Sequence, residues 1–230
     1  MLPGMTDGPY IAEAASLIGD PARANMLAAL MDGRALTATE LGLAANVSAS
    51  TASGHLAKLT EGKLVAVTPS GRHRHYRIAS ADVARVLESL MTLSVDGPPR
   101  HRPKSLADNA MARARTCYDH LAGRLGVALA DSLAERGHVM LGDEGGIVTD
   151  SGHRFLGSLG VELQTPSRRS YCAACLDWSE RRWHIAGHVG AALATRCFEL
   201  GWVERQRYGR AVNISPAGSK AFHEVFGIRA

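Results

Sequence analysis

The chain has 230 residues, 46% of them hydrophobic and 21% charged, with a formal net charge of +4 and a pI near 9.0. That is enough chain for one large domain or two small ones with a proper core, and the mild basicity is compatible with a nucleic-acid partner without demonstrating one. No run approaches the about 20 apolar residues of a membrane-spanning helix, the start MLPGMTDGPYIAEAA has no basic and apolar leader pattern, and four cysteines without export point to reduced thiols rather than a disulfide framework. The expected compartment is cytoplasmic.

Residues 1–9 are expected to be loose. A first helix over 10–18 places Ile11, Ala14, Ala15 and Ile18 on one side. Asp20 can cap a second helix with Pro21 at its first position and Met26, Leu27, Leu30 and Met31 facing inward. Thr37 followed by Glu40 is a capping box for a third helix, whose inner face is Leu41, Ala44 and Ala45. Asn46-Val47 breaks it, and Ser48 caps a fourth helix that runs to about Gly62. On this helix Ala52, Leu56 and Leu59 share one side at helical spacing. The opposite side carries Ser50, Thr51, Ser53, His55 and Lys58, short hydrogen-bonding groups and two potential cations suited to a major groove. Gly54 lets a backbone approach closely. Leu64, Val65 and Val67 begin a strand, Pro69-Ser70-Gly71 is turn chemistry, and Tyr76 and Ile78 end the return strand. Arg72, His73, Arg74, His75 and Arg77 decorate this hairpin with no acid among them, a pattern for phosphate contact. A further helix opens at Ser80-Ala81-Asp82, with Val83, Val86, Leu87, Leu90 and Leu93 apolar.

VSASTASGHLAKL at 47–59, then Leu64-Val65, then GRHRHYRI at 71–78 resemble the ArsR family of bacterial winged-helix repressors over about residues 10–95. The resemblance implies a homodimer joined through the first and last helices of that module. It also implies a recognition helix at about 49–61, a wing at about 65–78, and DNA affinity that changes when an inducer binds. The DNA-contacting residues it implies, together with the chemistry above, are Ser48, Ser50, Thr51, Ser53, His55, Lys58, Arg72, His73 and Arg74. One departure is Gly54, where the family usually carries a bulky polar side chain. The paired cysteines that metal-sensing members place before the recognition helix are absent here, as are histidines on the helix over 81–88.

Residues 96–104, with three prolines and several basic groups, read as a linker between a DNA-binding and dimerisation domain (1–95) and an effector-sensing domain (105–230). The second domain is expected to open with a long helix from 106 to about 136, weakened by Gly123 and Gly126. An internal repeat follows: 137–161 and 201–228 both read strand, turn, strand, cap, helix, with Thr149 and Ser215 as matching caps. The fold class is therefore mainly α with small β-hairpins: an N-terminal winged helix-turn-helix plus a helical C-terminal domain with two wing-like hairpins.

The chemistry-bearing cluster of the second half lies at 170–188. Cys172 and Cys175 form a CxxC, and His184 and His188 would lie one turn apart on one helix face, with Asp177 or Ser179 as a helix cap. Cys117 and His120 can join them from the other helix. Such a set can hold zinc, another thiophilic metal or haem; it can form a redox pair or the wall of a small-molecule pocket; or it can simply pack as core beside Trp178, Trp183 and Ile185. ARTCYDHLAGRLG at 114–126 with CLDWSERRWHIAGHVGAAL at 175–193 is similar to enlarged ArsR-type regulators with a second domain, which implies an effector domain without naming the effector. The sequence thus reads as a DNA-binding, effector-responsive repressor on an inverted repeat. Its alternatives are an architectural DNA-binding protein, or an enzyme with a DNA-binding appendage, for which no nucleophile–base set, phosphate loop or dinucleotide fingerprint is found.

Overall fold

The structure, a computed structural model, describes residues 11–70, 73–93, 106–142, 145–163, 170–207 and 209–229. Expectations for residues 1–10, for Arg72 and for the linker at 96–104 lie outside the described residues. By compactness the chain divides into residues 1–84 and 85–230. The division falls inside the helix α5 (Ala81–Leu93), not after it.

The first unit runs α1 (Ile11–Ile18), α2 (Pro21–Leu30), β1 (Leu36–Thr37), α3 (Ala38–Ala45), α4 (Ala49–Glu61), β2 (Val65–Ser70) and β3 (His73–Ile78). The expected caps form. Asp20 accepts from the Arg23 N–H at 2.9 Å, Thr37 and Glu40 close a reciprocal capping box, and Ser48 accepts from the Thr51 N–H at 3.2 Å. Asn46 turns the chain between α3 and α4 in the left-handed region, φ 55°, a conformation Asn tolerates better than most residues. Met26, Leu27, Leu30, Leu41, Leu56 and Leu59 are fully buried, each worth about 2 kcal/mol of transfer free energy. Strand β3 is central in a three-stranded antiparallel sheet ordered β1-β3-β2, in which Val65 pairs with Ile78 and Ser70 with His73. This is a winged helix-turn-helix.

The second unit is a tandem duplication. After α6 (Leu106–Arg113), the first copy runs β4 (Arg115–Cys117), β5 (His120–Ala122), α7 (Gly123–Glu135), β6 (Val139–Gly142), β7 (Gly145–Val148) and α8 (Asp150–Ser158). The second runs β8 (Ala173–Leu176), β9 (Trp183–Ala186), α9 (Gly187–Glu199), β10 (Val203–Arg205), β11 (Val212–Ile214) and α10 (Pro216–Phe226). The two wing-like hairpins expected from the sequence are β6–β7 and β10–β11, and Thr149 and Ser215 cap the helices that follow them. Two further hairpins, β4–β5 and β8–β9, precede them. The first overturns the expected long helix over 106–136. Tyr118 adopts φ 58° and Gly123 φ 73°, and each interrupts right-handed helix. The core of the unit gathers Leu125, Leu129, Leu133, Leu156, Val189, Leu193, Phe222 and Phe226.

Candidate DNA-binding face and a buried thiol–imidazole cluster

On α4 the face opposite Ala52, Leu56 and Leu59 is open: Ser48, Ser50, Thr51, Ser53, Gly54 and Lys58 are exposed. The Ser48 hydroxyl sits 2.9 Å from those of Ser50 and Thr51, and Ser53 donates back to the Ala49 carbonyl at 2.9 Å. His55 stands apart. It is partly buried, with Nδ1 3.7 Å from Asp20 Oδ1, so it is drawn toward the α2 cap. Arg74 is exposed on β3, and with Ser53, Ala57 and Thr60 it lines one groove of about 420 Å³ between α4 and the wing. His73 belongs to β3, opposite Ser70.

In the second unit, four of the six candidate ligands converge. One donor atom each from Cys117, His120, Cys175 and His184 lies within 4.8 Å of the others. Each hairpin supplies a cross-strand pair, since Cys117 is in register with His120 and Cys175 with His184. The two imidazoles meet Nε2 to Nε2 at 3.1 Å. Each Nδ1 faces a carboxylate from its own hairpin loop: His120 lies 3.4 Å from Asp119 Oδ1 and His184 3.5 Å from Asp177 Oδ2. Both aspartates occupy the second position after their cysteine, in CYD and CLD. Carboxylates on the far nitrogen are the usual means of fixing the tautomer of a metal-ligating histidine.

The repeat also explains how the rings are packed. A side chain at Gly126 of α7 would collide with the Leu121 carbonyl and reach His184 Cβ; one at Gly190 of α9 would collide with the Ile185 carbonyl and reach His120 Cβ. Each helix therefore closes on its own hairpin through a glycine, and that glycine makes room for the histidine of the other copy.

Two expected ligands fall elsewhere. Cys172 lies in a bend before strand β8, whereas Cys175 stands on the strand, and the two thiols part company. The Cys172 sulfur is packed against Gly146, and burial pushes its thiol up to about 11. His188 does not share a helix face with His184: His184 is on strand β9, whereas His188 opens α9 after Gly187 at φ 76°, and its ring stacks near Tyr171. Cys197 is buried in the core, which pushes its thiol up to about 12.

Electrostatically the cluster is uneven. Burial opposes charge on His120, but the Asp119 carboxylate and the Cys117 thiol outweigh it and raise the ring to about 10. Burial and the charge on His120 then hold His184 well below its ordinary value. The consistent arrangement is a charged His120 donating its Nε2–H to a neutral His184. Cys117 is held well above the ordinary thiol range by the neighbouring Cys175, by burial and by Glu88.

Sequence reasoning missed the groups that organise the site. Asp177 does not cap a helix; it heads the turn between β8 and β9. Its carboxylate accepts from Ser179 N–H at 2.9 Å, Ser179 O–H at 2.7 Å, Glu180 N–H at 3.1 Å and, across the repeat, Gly123 N–H at 2.7 Å. Arg115 reaches it at 2.9 Å with both side chains fully buried. Burial alone would raise Asp177, but the Arg115 charge and the Ser179 hydrogen bond prevail and hold it well below the usual carboxylate range. The Arg115 guanidinium also lies 4.3 Å over the Trp178 ring. The signal that marks the site in sequence is the repeated HLAGRLG at 120–126 and HIAGHVG at 184–190.

Among the described residues no helix is long and apolar enough to cross a membrane. A family described as a helix-turn-helix domain matches residues 18–68. Over 227 residues, 96% of this chain and 99% of the relative, the sequence is 43% identical to YdfF of Bacillus subtilis (strain 168), described as an uncharacterized HTH-type transcriptional regulator. Among solved structures, HlyU from Vibrio cholerae N16961 is 26% identical with a TM-score of 0.34, matching 36% of this chain and 89% of its own. The cadmium metal-sensor CMTR from Mycobacterium tuberculosis is 30% identical with a TM-score of 0.32, matching 40% of this chain and 94% of its own. The identity along nearly the whole of both chains carries the assignment: this chain belongs to the HTH-type transcriptional regulators, DNA-binding proteins, with a helix-turn-helix at its N-terminal end.

Proposed function

We propose that the chain is a cytoplasmic, homodimeric repressor that binds an inverted-repeat operator. Its effector is one thiophilic divalent ion, zinc or a chemical neighbour, held by Cys117, His120, Cys175 and His184. In each half-site α4 enters the major groove with Ser50, Thr51, Ser53 and Lys58, Ser48 caps the helix at the groove, and the wing lies along the backbone through Arg74 and its neighbours Arg72 and His73. Support for the dimer comes from apolar side chains left open on the helices that the family resemblance assigns to it: Ile11 on α1 and Val86 and Leu93 on α5 are more than half exposed.

One observation carries the metal reading: two thiols and two imidazole nitrogens, three of the four residues buried, lie within 4.8 Å of one another. In a tetrahedral site with zinc–sulfur and zinc–nitrogen bonds of ordinary length the donors stand about 3.5 Å apart, so a modest contraction completes the site. Two thiolates and two neutral imidazoles would leave a bound dication electrically neutral, which suits a buried place. When bound, the ion supplies a crosslink between the two repeats and no reaction chemistry.

The test is metal analysis of full-length reduced protein purified without chelator, beside C117S/C175S and C172S. One ion per chain in the wild type and in C172S, lost in C117S/C175S, is the expected result. Operator duplex selected from a random pool should bind with an affinity that depends on the ion. Metal-free wild type with unchanged operator binding would remove the ion from the mechanism, and equal affinity for all duplexes would favour an architectural role.

A further inference from the structure

Both thiols of the cluster share a partner that is not among the four donors. The Cys117 thiol donates to Glu88 Oε1 at 3.0 Å, and the Cys175 thiol donates to Glu88 Oε2 at 3.5 Å. One carboxylate thus bridges the two sulfurs, using a different oxygen for each. Glu88 lies in the middle of α5 and is partly buried. One turn on, the Thr92 hydroxyl is shared between the Glu88 carbonyl at 3.1 Å and the carbonyl of Leu176, the residue after Cys175, at 3.4 Å. The middle of α5 is therefore held to the β4–β5 and β8–β9 hairpins by polar contacts centred on the two thiols.

These contacts depend on the thiols carrying hydrogen. A neutral thiol is a donor, weak on its own and strengthened when its acceptor is an ionised carboxylate. When an ion enters, each S–H bond breaks and each sulfur forms a bond to the ion; these two protons, and the one on His120 Nε2, leave to solvent. Both sulfurs then have nothing to donate, and Glu88 faces two acceptors.

Resting on the metal reading above, we propose that Glu88 is the contact through which occupancy of the Cys/His cluster reaches α5. It is bound to both thiols when the site is empty and released when an ion takes the sulfurs. The consequence passes along one continuous element, because α5 follows directly on the last strand of the wing sheet and its first turn, up to Ala84, belongs to the DNA-binding unit. Glu88 is in this account a positioning residue for α5 and not a ligand.

The experiment uses full-length reduced wild type, E88A and the isosteric E88Q. Zinc affinity is read by competition with a chromophoric chelator, and operator affinity by fluorescence anisotropy in zinc and in chelator. Wild-type operator affinity should change about tenfold or more between the two conditions, within the usual range of allosteric coupling. Both variants should still bind one zinc, with affinity within about threefold of wild type, while their operator affinity changes less than about twofold. E88Q guards against a folding defect in E88A, because it keeps the shape and removes the charge. Variants that keep the wild-type response overturn the role of Glu88 and leave the metal site standing. A zinc affinity reduced well beyond about a hundredfold in both variants, more than the loss of an outer-shell partner costs, makes Glu88 a ligand and overturns its release. Wild type that binds no zinc brings down the metal reading itself.

Discussion

Asp177→Asn keeps the shape of the side chain and removes its charge, and the structure sets the size of the effect. Arg115 and Asp177 are 2.9 Å apart with both side chains fully buried. In the variant, the guanidinium keeps the Met111 carbonyl at 3.1 Å and the Ser179 hydroxyl at 3.0 Å, but has no counter-charge. An uncompensated buried charge costs about 3–5 kcal/mol. The amide adds to this, because neither carboxylate oxygen faces an acceptor: Oδ1 receives Arg115, Ser179 and Glu180, and Oδ2 receives Gly123. Whichever way the Asn side chain turns, its NH2 meets a donor, and one buried group left unsatisfied costs about 1–3 kcal/mol. A loss of about 4 kcal/mol or more is expected, a large part of the stability of an ordinary domain. Arg115→Met should cost about as much, whereas the double variant should fall short of the sum by about 2 kcal/mol or more, because each single change strands the other partner. The assay is urea unfolding in chelator followed by tryptophan fluorescence. Trp178, Trp183 and Trp202 all lie in the second unit, so the signal reports that unit alone. Single variants that cost under about 1 kcal/mol, or costs that simply add, would refute the reasoning.

Five further outcomes follow from single positions. Gly54→Ala places its methyl where no atom lies within 4 Å; it should stabilise α4 by about 1 kcal/mol, read by hydrogen exchange of its amides, and weaken operator binding if the DNA backbone approaches there. Glu40→Ala should cost about 1 kcal/mol at neutral pH through the lost capping box. Hydrogen bonds from the Thr37 backbone and hydroxyl hold the Glu40 carboxyl below its usual 4.5. That contribution is therefore complete above pH 4.5 and lost as pH falls through the depressed value, and the gap between variant and wild type in the same exchange measurement should close in acid. Gly190→Ala should cost about 3 kcal/mol by tryptophan-detected unfolding, because the methyl meets the Ile185 carbonyl and His120; Gly157→Ala, with nothing within 4 Å, should be neutral or stabilising. Arg74→Ala should weaken binding to every duplex and lower the salt slope by about 1 in anisotropy titrations, whereas an unchanged slope would remove Arg74 from phosphate contact.

What was legible in the sequence was local. Asp20, Thr37 with Glu40, Ser48, Thr149 and Ser215 each announce a helix within three residues of themselves, and each caps one. The segment 106–136 misled because Leu121, Leu125, Leu129 and Leu133 recur at helical spacing although Leu121 stands on a strand. The break is conformational: Tyr118 and Asp119 make a tight loop without the Asn-Gly or Asp-Gly pairs that mark such turns, so no side chain gave it away. Asp177 illustrates the same limit. It does accept two backbone N–H groups just ahead of it, as a cap would, but the turn it heads closes a hairpin, and its pairing with Arg115 and Gly123 comes from distant chain.

The duplication decides why the cluster needs both copies. One hairpin presents one thiol and one imidazole, two donors, which is too few for a structural tetrahedral site. Two copies facing each other present four, and the glycines of α7 and α9 press each histidine against the partner repeat. The second copy is not a replica, and the differences run in one direction. Asp177 is fully buried and bound to Arg115, whereas Asp119 remains about one-third exposed; His184 is held neutral while His120 keeps the proton; Glu88 lies closer to Cys117 than to Cys175. The rigid, buried half is thus the second hairpin, and although both hairpins lose a thiol–carboxylate contact when an ion arrives, the shorter of the two is on the first. On this geometry the β4–β5 hairpin is the half that rearranges on occupancy, and hydrogen exchange with and without zinc should show the larger change in residues 115–122 than in 173–186.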